Sequence, residues 1–504
     1  MLRILTGQST AFCDRLPRRD FLRVGGLGLA GLTLADMLRC SASANPGTGG
    51  YDREKSVVLL FLGGGPSQYE TFDPKPEGPG SSTSIAGHLA TRIPGVRFAT
   101  YFPQMAELAD RLTVVRNFQT NHAEHNGAHK QILTADLSVQ DGKPIRQPGL
   151  GPIYARAIGA TDPATGLPTQ ALIPPTTRHL GKAAGFAGAY ESVVEGCQPA
   201  GLGPAYTPLE VYAPMAEGSA PPKKDRKDED RSGAPPIIDD LTPRLPDSVI
   251  DGRLNLLRAL DRLDRRLDAT GAMEGLDEFS EQAINVLRGG GVRRALDLSL
   301  EDLAVLAAYD TEHFRNYRCG DDSKFERGGP SIGISLGRQL LLARRLCEAG
   351  CRFVTVIHAN WDFHARKGIP NIPEGMSVLA PPLDHAVAAF LRDLQARGLD
   401  EKILLVVTGE FGRTTSLDEN LGRHHWPRIC PLLFAGGGLR HGQVVGQSDR
   451  RGGEPEGEAM NIDDLHATVL HALLDMGKLR LDPSIPRSVL DRAGRGRPLR
   501  ELFG

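Results

Sequence analysis

The imidazoles and carboxylates of this chain gather in a few short stretches. One is Asn121-His122-Ala123-Glu124-His125-Asn126-Gly127-Ala128-His129. A second is His358-Ala359-Asn360-Trp361-Asp362-Phe363-His364. A third is Thr408-Gly409-Glu410-Phe411-Gly412-Arg413-Thr414, with Gly422-Arg423-His424-His425-Trp426-Pro427 shortly behind. A fourth is Pro66-Ser67-Gln68-Tyr69-Glu70-Thr71-Phe72-Asp73. Nitrogen and oxygen donors converging from separate segments are what a divalent cation needs. Imidazole suits zinc, iron and similar ions, and carboxylate oxygens suit harder ones such as manganese or calcium.

Within these stretches, Asp362 and His364 lie two apart, so an extended segment points both the same way. Glu410 and His425 could complete four ligands. Any one such pair could equally bond its own loop backbone; it is the set of clusters together that favours a metal or catalytic site. His122, His125 and His129 are spaced three and four apart and on a helix would share a face. That suits ligands or substrate contacts, and also a structural role. Ser67 and Thr71 are hydroxyls placed for a nucleophile or a phosphate-type contact, though Ser67 could instead cap a following helix. Arg413 could grip an anionic group with two N–H bonds, or pair with a nearby carboxylate. Gly63-Gly64-Gly65 could let an anion approach backbone N–H groups, but neither the P-loop nor the dinucleotide fingerprint is present.

The elements that must position these groups are buried strands. Ser56 to Leu62 is an unbroken apolar run, as expected of a strand covered on both faces. Arg352 to Ile357 and Lys402 to Val407 are similar, and Leu432 to Ala435 is a shorter fourth. Helical patterns run from Gly337 to Ala349 and from Leu383 to Arg397. Strands alternating with helices predict an α/β fold with a doubly wound, mostly parallel sheet. In such sheets ligands sit beyond the carboxyl ends of the strands, which is where three of the polar clusters fall. Residues 217–247, with Pro221-Pro222, Pro235-Pro236 and a mixed charge run, predict a loop. Residues 248–310 predict a helical insertion, since Leu256, Leu260, Leu263 and Leu267 step at helical spacing.

The net charge of −2 gives no electrostatic ground for binding nucleic acid or an anionic membrane. At the N-terminus, Arg18-Arg19-Asp20-Phe21-Leu22-Arg23 precedes the apolar stretch Val24 to Leu34 and then Ala42-Ser43-Ala44. That is a basic region, a short apolar region and a small-residue cleavage site, with paired arginines that resemble a twin-arginine signal. The expectation is export by the twin-arginine route to the periplasm or cell surface, with residues 1–44 removed and no transmembrane segment in the mature chain. Of seven cysteines, Cys13 and Cys40 would leave with that segment. An odd five remain (Cys197, Cys319, Cys347, Cys351 and Cys430), which argues against a full disulfide framework. Cys347 and Cys351, four apart, are expected as neighbours on one helix face.

With the motifs assembled, the chain resembles the DUF1501 family of exported bacterial proteins. The matching pieces are Gly64-Gly65-Pro66-Ser67 through Thr71-Phe72-Asp73-Pro74-Lys75-Pro76; Leu341 to Leu346 with Glu348-Ala349-Gly350; Trp361-Asp362-Phe363-His364; Gly409 to Thr414; and Gly422 to Pro427 with Ala435-Gly436-Gly437-Gly438. The resemblance implies a fold of alkaline phosphatase–sulfatase type over residues 45–504, with metal ligands at strand ends. It puts Asp362, His364, Glu410 and His425 at the metal positions and adds Asp73. It also marks departures: Gln68 and Glu70 stand where His and Asp are usual, and His424 stands where Asp is usual. His424 therefore joins His122, His125 and His129 as a substrate-contact candidate. No sulfatase Cys/Ser-x-Pro-x-Arg signature is present. The expected function is metal-dependent hydrolysis of phosphate or sulfate esters, small molecules or polysaccharides. The alternative is a non-catalytic cell-envelope binding or scaffold protein on the same fold.

Overall fold

The computed structural model describes residues 50–175, 187–213, 291–316, 329–366 and 369–504. The expected signal at 1–44, the loop at 217–247 and the leucine steps at 256–267 lie outside the described residues. Of the expected helical insertion, residues 291–310 are described. They form two short helices, Gly291–Leu296 and Leu303–Ala308, joined by a 3-10 turn.

Among the described residues, eight strands make the central sheet: β1 (Ser56–Leu62), β2 (Leu112–Val115), β3 (Gln170–Ile173), β4 (Leu209–Glu210), β5 (Phe353–His358), β6 (Ile403–Thr408), β7 (Leu432–Gly436) and β8 (Gln443–Val445). Their spatial order is β8-β2-β7-β6-β1-β5-β3-β4. Strand β1 is paired in parallel with β5 on one side and β6 on the other, and all seven of its residues are buried. That double coverage is why its sequence is continuously apolar. The pleat sends alternate side chains to opposite faces. Val58, Leu60 and Leu62 join a core formed with α4 (Gly329–Glu348) and α5 (Ile372–Ala396). Val57, Leu59 and Phe61 join a second core with α1 (His125–Thr134), α2 (Leu150–Ile158) and α6 (Ile462–Leu473). The α/β class with a mostly parallel sheet is therefore as the sequence predicts.

Three details differ from that reading. Strand β7 runs antiparallel to both neighbours, β6 and β2. No crossover helix separates β6 from β7; the chain instead turns through a short ribbon, Gly412–Arg413 against His425–Trp426, and comes straight back. Parallel strands need a longer crossover, so the return is antiparallel. Helix α5 begins well before Leu383. An Asn371–Glu374 capping box starts it, and it continues through Pro381 and Pro382. Finally, α4 ends at Glu348, and Gly350 turns the chain at φ +106°, so Cys351 lies past the helix that carries Cys347. Both thiols are free and buried, as are Cys197 and Cys430.

Candidate metal centre

Strands β6, β1 and β5 are neighbours, and their carboxyl ends bring three loops together. The loop after β1 is Gly63-Gly64-Gly65. Gly64 has φ +115°, and a Cβ there would lie 2.6 Å from the backbone N of Trp361 and 2.8 Å from that of Asp362. Glycine is thus required so that the β1 and β5 loops can touch. The Gly64 N–H donates to Glu410 Oε1 at 2.8 Å, which ties in the loop after β6. Helix α1 supplies the remaining donors from below: Glu124 is its N-cap, so His125 and His129 stand one turn apart at its start.

Two carboxylates organise the site. Glu410 is wholly buried, with Oε1 2.7 Å from His125 Nδ1 and 3.1 Å from His129 Nε2. Its Oε2 is buried without a hydrogen-bond partner. Asp362 is partly exposed and receives three imidazoles and a guanidinium. His364 Nε2 lies 3.0 Å from Oδ2, His125 Nε2 3.4 Å from Oδ2, His425 Nε2 3.4 Å from Oδ1 and Arg413 Nη2 2.7 Å from Oδ1. His364 and Asp362 do point the same way from their loop. The ligand atoms of His125, Asp362 and His425 lie within 4.8 Å of one another, and so do those of His125, His129 and Glu410.

The electrostatics follow from this packing. Burial pushes the Glu410 carboxyl up, but the charge of His129 and the hydrogen bond from His125 outweigh it and hold the group below the usual carboxylate range. Burial opposes ionisation of Asp362 too, yet Arg413 and then the three imidazoles hold it well below its ordinary value. Burial alone would lower His125; its bonds to Asp362 and Glu410 raise it to about 9. His125 is therefore a cation between two anions. Lone pairs on two carboxylates and four imidazoles, one carboxylate oxygen left unpartnered in the interior, and a proton standing where a cation would go: this donor set fits a divalent metal.

The other expected residues are placed differently. Arg413 is 2 % exposed and donates to the carbonyls of Gly64, Gly65 (2.6 Å), Trp361 (3.3 Å) and Arg423 (2.9 Å) as well as to Asp362. It pins the three loops together and orients Asp362, so it is committed to the scaffold and not offered to an anion. Asp73 does not join the centre: Ser448, Lys75 (3.3 Å) and Arg116 (3.4 Å) engage its carboxylate. The Ser67 Oγ accepts from Glu70 N–H at 3.4 Å and the Thr71 hydroxyl donates to the Ser67 carbonyl at 2.8 Å, so both are used within their own turn. His122 precedes α1 and is not on its face; its Nδ1 accepts from the Glu124 N–H at 3.0 Å. His424 lies on the rim, 41 % exposed, with Nε2 3.1 Å from Arg366. Burial and then Arg366 lower its pKa.

Of the three departing residues, Gln68 and Glu70 are structural here. Gln68 brackets the Arg413 backbone, accepting from its N–H and donating to its carbonyl, each at 2.8 Å. Glu70 is wholly buried, accepts from Ser84 Oγ at 2.6 Å and sits 3.8 Å from Arg423, which stacks 4.2 Å above the Tyr69 ring. Sequence reading missed the groups that aim the imidazoles. Ser192 Oγ, on α3 (Ala187–Gly196), lies 2.7 Å from His129 Nδ1. The Ala123 carbonyl lies 2.6 Å from His425 Nδ1. A lone serine on a distant helix and a backbone oxygen carry no sequence signal.

A family profile described as a protein of unknown function (DUF1501) matches residues 54–480. No curated protein matches the chain. Among solved structures, PsFucS1 sulfatase from Pseudoalteromonas sp. is similar at 11 % identity and a TM-score of 0.38, covering 96 % of this chain and 78 % of that one. Phosphonate monoester hydrolase SpPMH from Silicibacter pomeroyi gives 13 % and 0.35, over 88 % and 76 %. The periplasmic domain of EcEptC from Escherichia coli, in complex with Zn, gives 12 % and 0.33, over 88 % and 92 %.

Proposed function

The chain belongs to the DUF1501 family, and we propose that it is an exported, divalent-cation-dependent hydrolase of phosphate or sulfate esters. The observation that carries the reading is Glu410. It is a wholly buried carboxylate, wedged between two imidazoles, with one oxygen unpartnered. A buried anion without a full set of partners is costly, and a cation at that oxygen removes the cost. Glu410, Asp362, His125, His129 and His425 would hold the cation, and His364 borders it. When bound, such an ion polarises an ester oxygen and makes a coordinated water nucleophilic near neutral pH. Arg413 holds Asp362, the Gly64 N–H holds Glu410, and Ser192 and Ala123 orient their imidazoles. At the rim, Arg366 donates to His424 Nε2 at 3.1 Å, and the remaining N–H groups of the guanidinium are the ones this reading assigns to an anionic ester. With the Ser67 and Thr71 hydroxyls used in their own turn, water is the nucleophile this geometry favours.

That same turn supports a second reading. The first loop has Gln68 and Glu70 built into the scaffold and its Ser67 and Thr71 hydroxyls buried, which suits a binding or scaffold protein that keeps the metal centre.

One experiment separates them. Metal-stripped protein is reloaded with zinc, manganese, iron(II) or calcium and assayed on p-nitrophenyl phosphate, sulfate and phosphonate esters, beside Glu410→Gln. The hydrolase reading expects turnover with at least one ion, lost roughly a hundredfold or more in the variant. Metal binding without turnover of any ester would favour the scaffold. Among the described residues no helix is long and apolar enough to cross a membrane. Export rests on the N-terminal sequence: replacing Arg18 and Arg19 by Lys should leave the chain in the cytoplasm, and unchanged export would contradict it.

A further inference from the structure

An imidazole has two ring nitrogens, and the partner of one shows what the other is free to do. A metal-bound histidine usually gives its second nitrogen to a carbonyl, hydroxyl or carboxylate that fixes the ring. His129 and His425 follow this pattern. His129 Nδ1 meets Ser192 Oγ at 2.7 Å, leaving Nε2 toward Glu410. His425 Nδ1 meets the Ala123 carbonyl at 2.6 Å, leaving Nε2 toward Asp362. His125 does not follow it. Its Nδ1 lies 2.7 Å from Glu410 and its Nε2 3.4 Å from Asp362, so each nitrogen faces a different donor group. The ring is braced by its neighbours: Phe411 packs with centroids 5.1 Å away and His425 edge-on at 4.4 Å. Neither brace takes a ring nitrogen. Both three-residue donor groups include His125, and they share nothing else.

We propose that His125 bridges two cation positions, Nδ1 serving an inner one with Glu410 and His129, and Nε2 an outer one with Asp362 and His425. The proposal rests on the metal-centre reading above and adds to it the number of ions and their coupling. Both ring protons leave to solvent as the two cations bind, and no electron is transferred. Filling one position removes a proton and draws the ring's charge toward the metal, so the two sites are linked through one side chain. The inner group is buried and the outer is partly exposed, so the outer position is the one an ester can reach.

Copper(II) is the probe, because each ion carries one unpaired electron and ions joined through one imidazolate couple magnetically. Full-length metal-stripped protein is titrated with copper(II), with bound metal counted by elemental analysis and spin counted by electron paramagnetic resonance. Two ions per chain with clearly fewer detectable spins than ions support the bridge. His129→Ala and His425→Ala should each retain one ion with its full spin. His125→Ala should weaken binding at both positions, roughly tenfold or more each. Circular dichroism checks that the variants fold, and the wild-type spectrum decides the question if His125→Ala does not. One ion per chain, or two with full independent spin, would overturn the bridge and leave the hydrolase reading standing. No bound metal at all would overturn both.

Discussion

Two clusters of buried charge sit on this fold, and they use their carboxylates in opposite ways. The first joins α4 to α5. Arg344, 1 % exposed, reaches Glu301 at 2.9 Å, Asp393 at 3.0 Å and also Glu348. Arg397 reaches Asp393 at 2.7 Å and Glu301 at 3.1 Å, Arg345 pairs with Glu301, and Tyr309 donates to Asp393 at 2.9 Å. Three arginines face three carboxylates. Guanidinium is always charged and carries no lone pair, so this cluster holds nothing further. The second cluster lies at the ends of β6, β1 and β5. Two carboxylates meet one guanidinium and four imidazoles, and imidazole can give up its proton and offer the lone pair. Burial is shared by the two; what differs is whether the positive partner can be exchanged for a metal ion. The arginine cluster is scaffold, and the imidazole cluster is the metal site proposed above.

The largest effect should come from breaking the scaffold. Arg344→Met leaves Glu301 and Asp393 buried with a partner removed, which should cost about 3–5 kcal/mol in denaturant unfolding. If the variant folds, its zinc affinity should be unchanged; a stable variant with weakened zinc binding would reverse the roles assigned to the clusters. Next, Gly64→Ala forces a Cβ onto the backbone of Trp361 and Asp362 at a φ that disfavours side chains. Strain and overpacking should cost about 2–4 kcal/mol and weaken zinc binding as well. A neutral result would mean the β1 and β5 loops do not need this close approach.

The imidazole cluster alone should titrate in the mild alkaline range. His125 is raised from 6.5 to about 9. Its stabilisation is fully present below about 6.5 and is lost as pH rises through about 9. Metal-free protein should therefore lose up to ~3 kcal/mol between those limits. Asp362 and Glu410, both held low, stay ionised throughout and add no slope there. Saturating zinc should flatten the curve, since the ion takes the proton's place. A flat curve without metal would remove His125 as the charge between the two carboxylates. The smallest effect belongs to Ser192→Ala, which frees His129 Nδ1. Zinc affinity should fall about 10- to 100-fold by titration calorimetry, with little change in unfolding.

The strand-end half of the site was legible because unbroken apolar runs mark buried parallel strands, and polar residues straight after them fall where ligands bind. Asp362, His364, Glu410 and His425 group together on that pattern. The spacing of His125 and His129 marked a helix face but not its destination. Their arrival depends on β2 pairing with β7, a contact between residues about three hundred positions apart that no local pattern encodes. His122 was misplaced because the helix starts at a cap, Glu124, that is a poor capping type. Asp73 entered on the family resemblance and lies elsewhere, engaged by Ser448, Lys75 and Arg116, while Arg413 takes the second of its two expected roles and pairs with Asp362. Arg413 is held by four carbonyls whose convergence only the fold creates.

The most direct test is elemental analysis of the purified full-length protein, beside a Glu410→Ala, His364→Ala double variant and Arg344→Met. Stoichiometric zinc, manganese, iron or calcium is expected in the parent and in Arg344→Met, and its loss in the double variant. Metal absent from the parent, even after reloading, would contradict the assignment of this cluster as a metal centre.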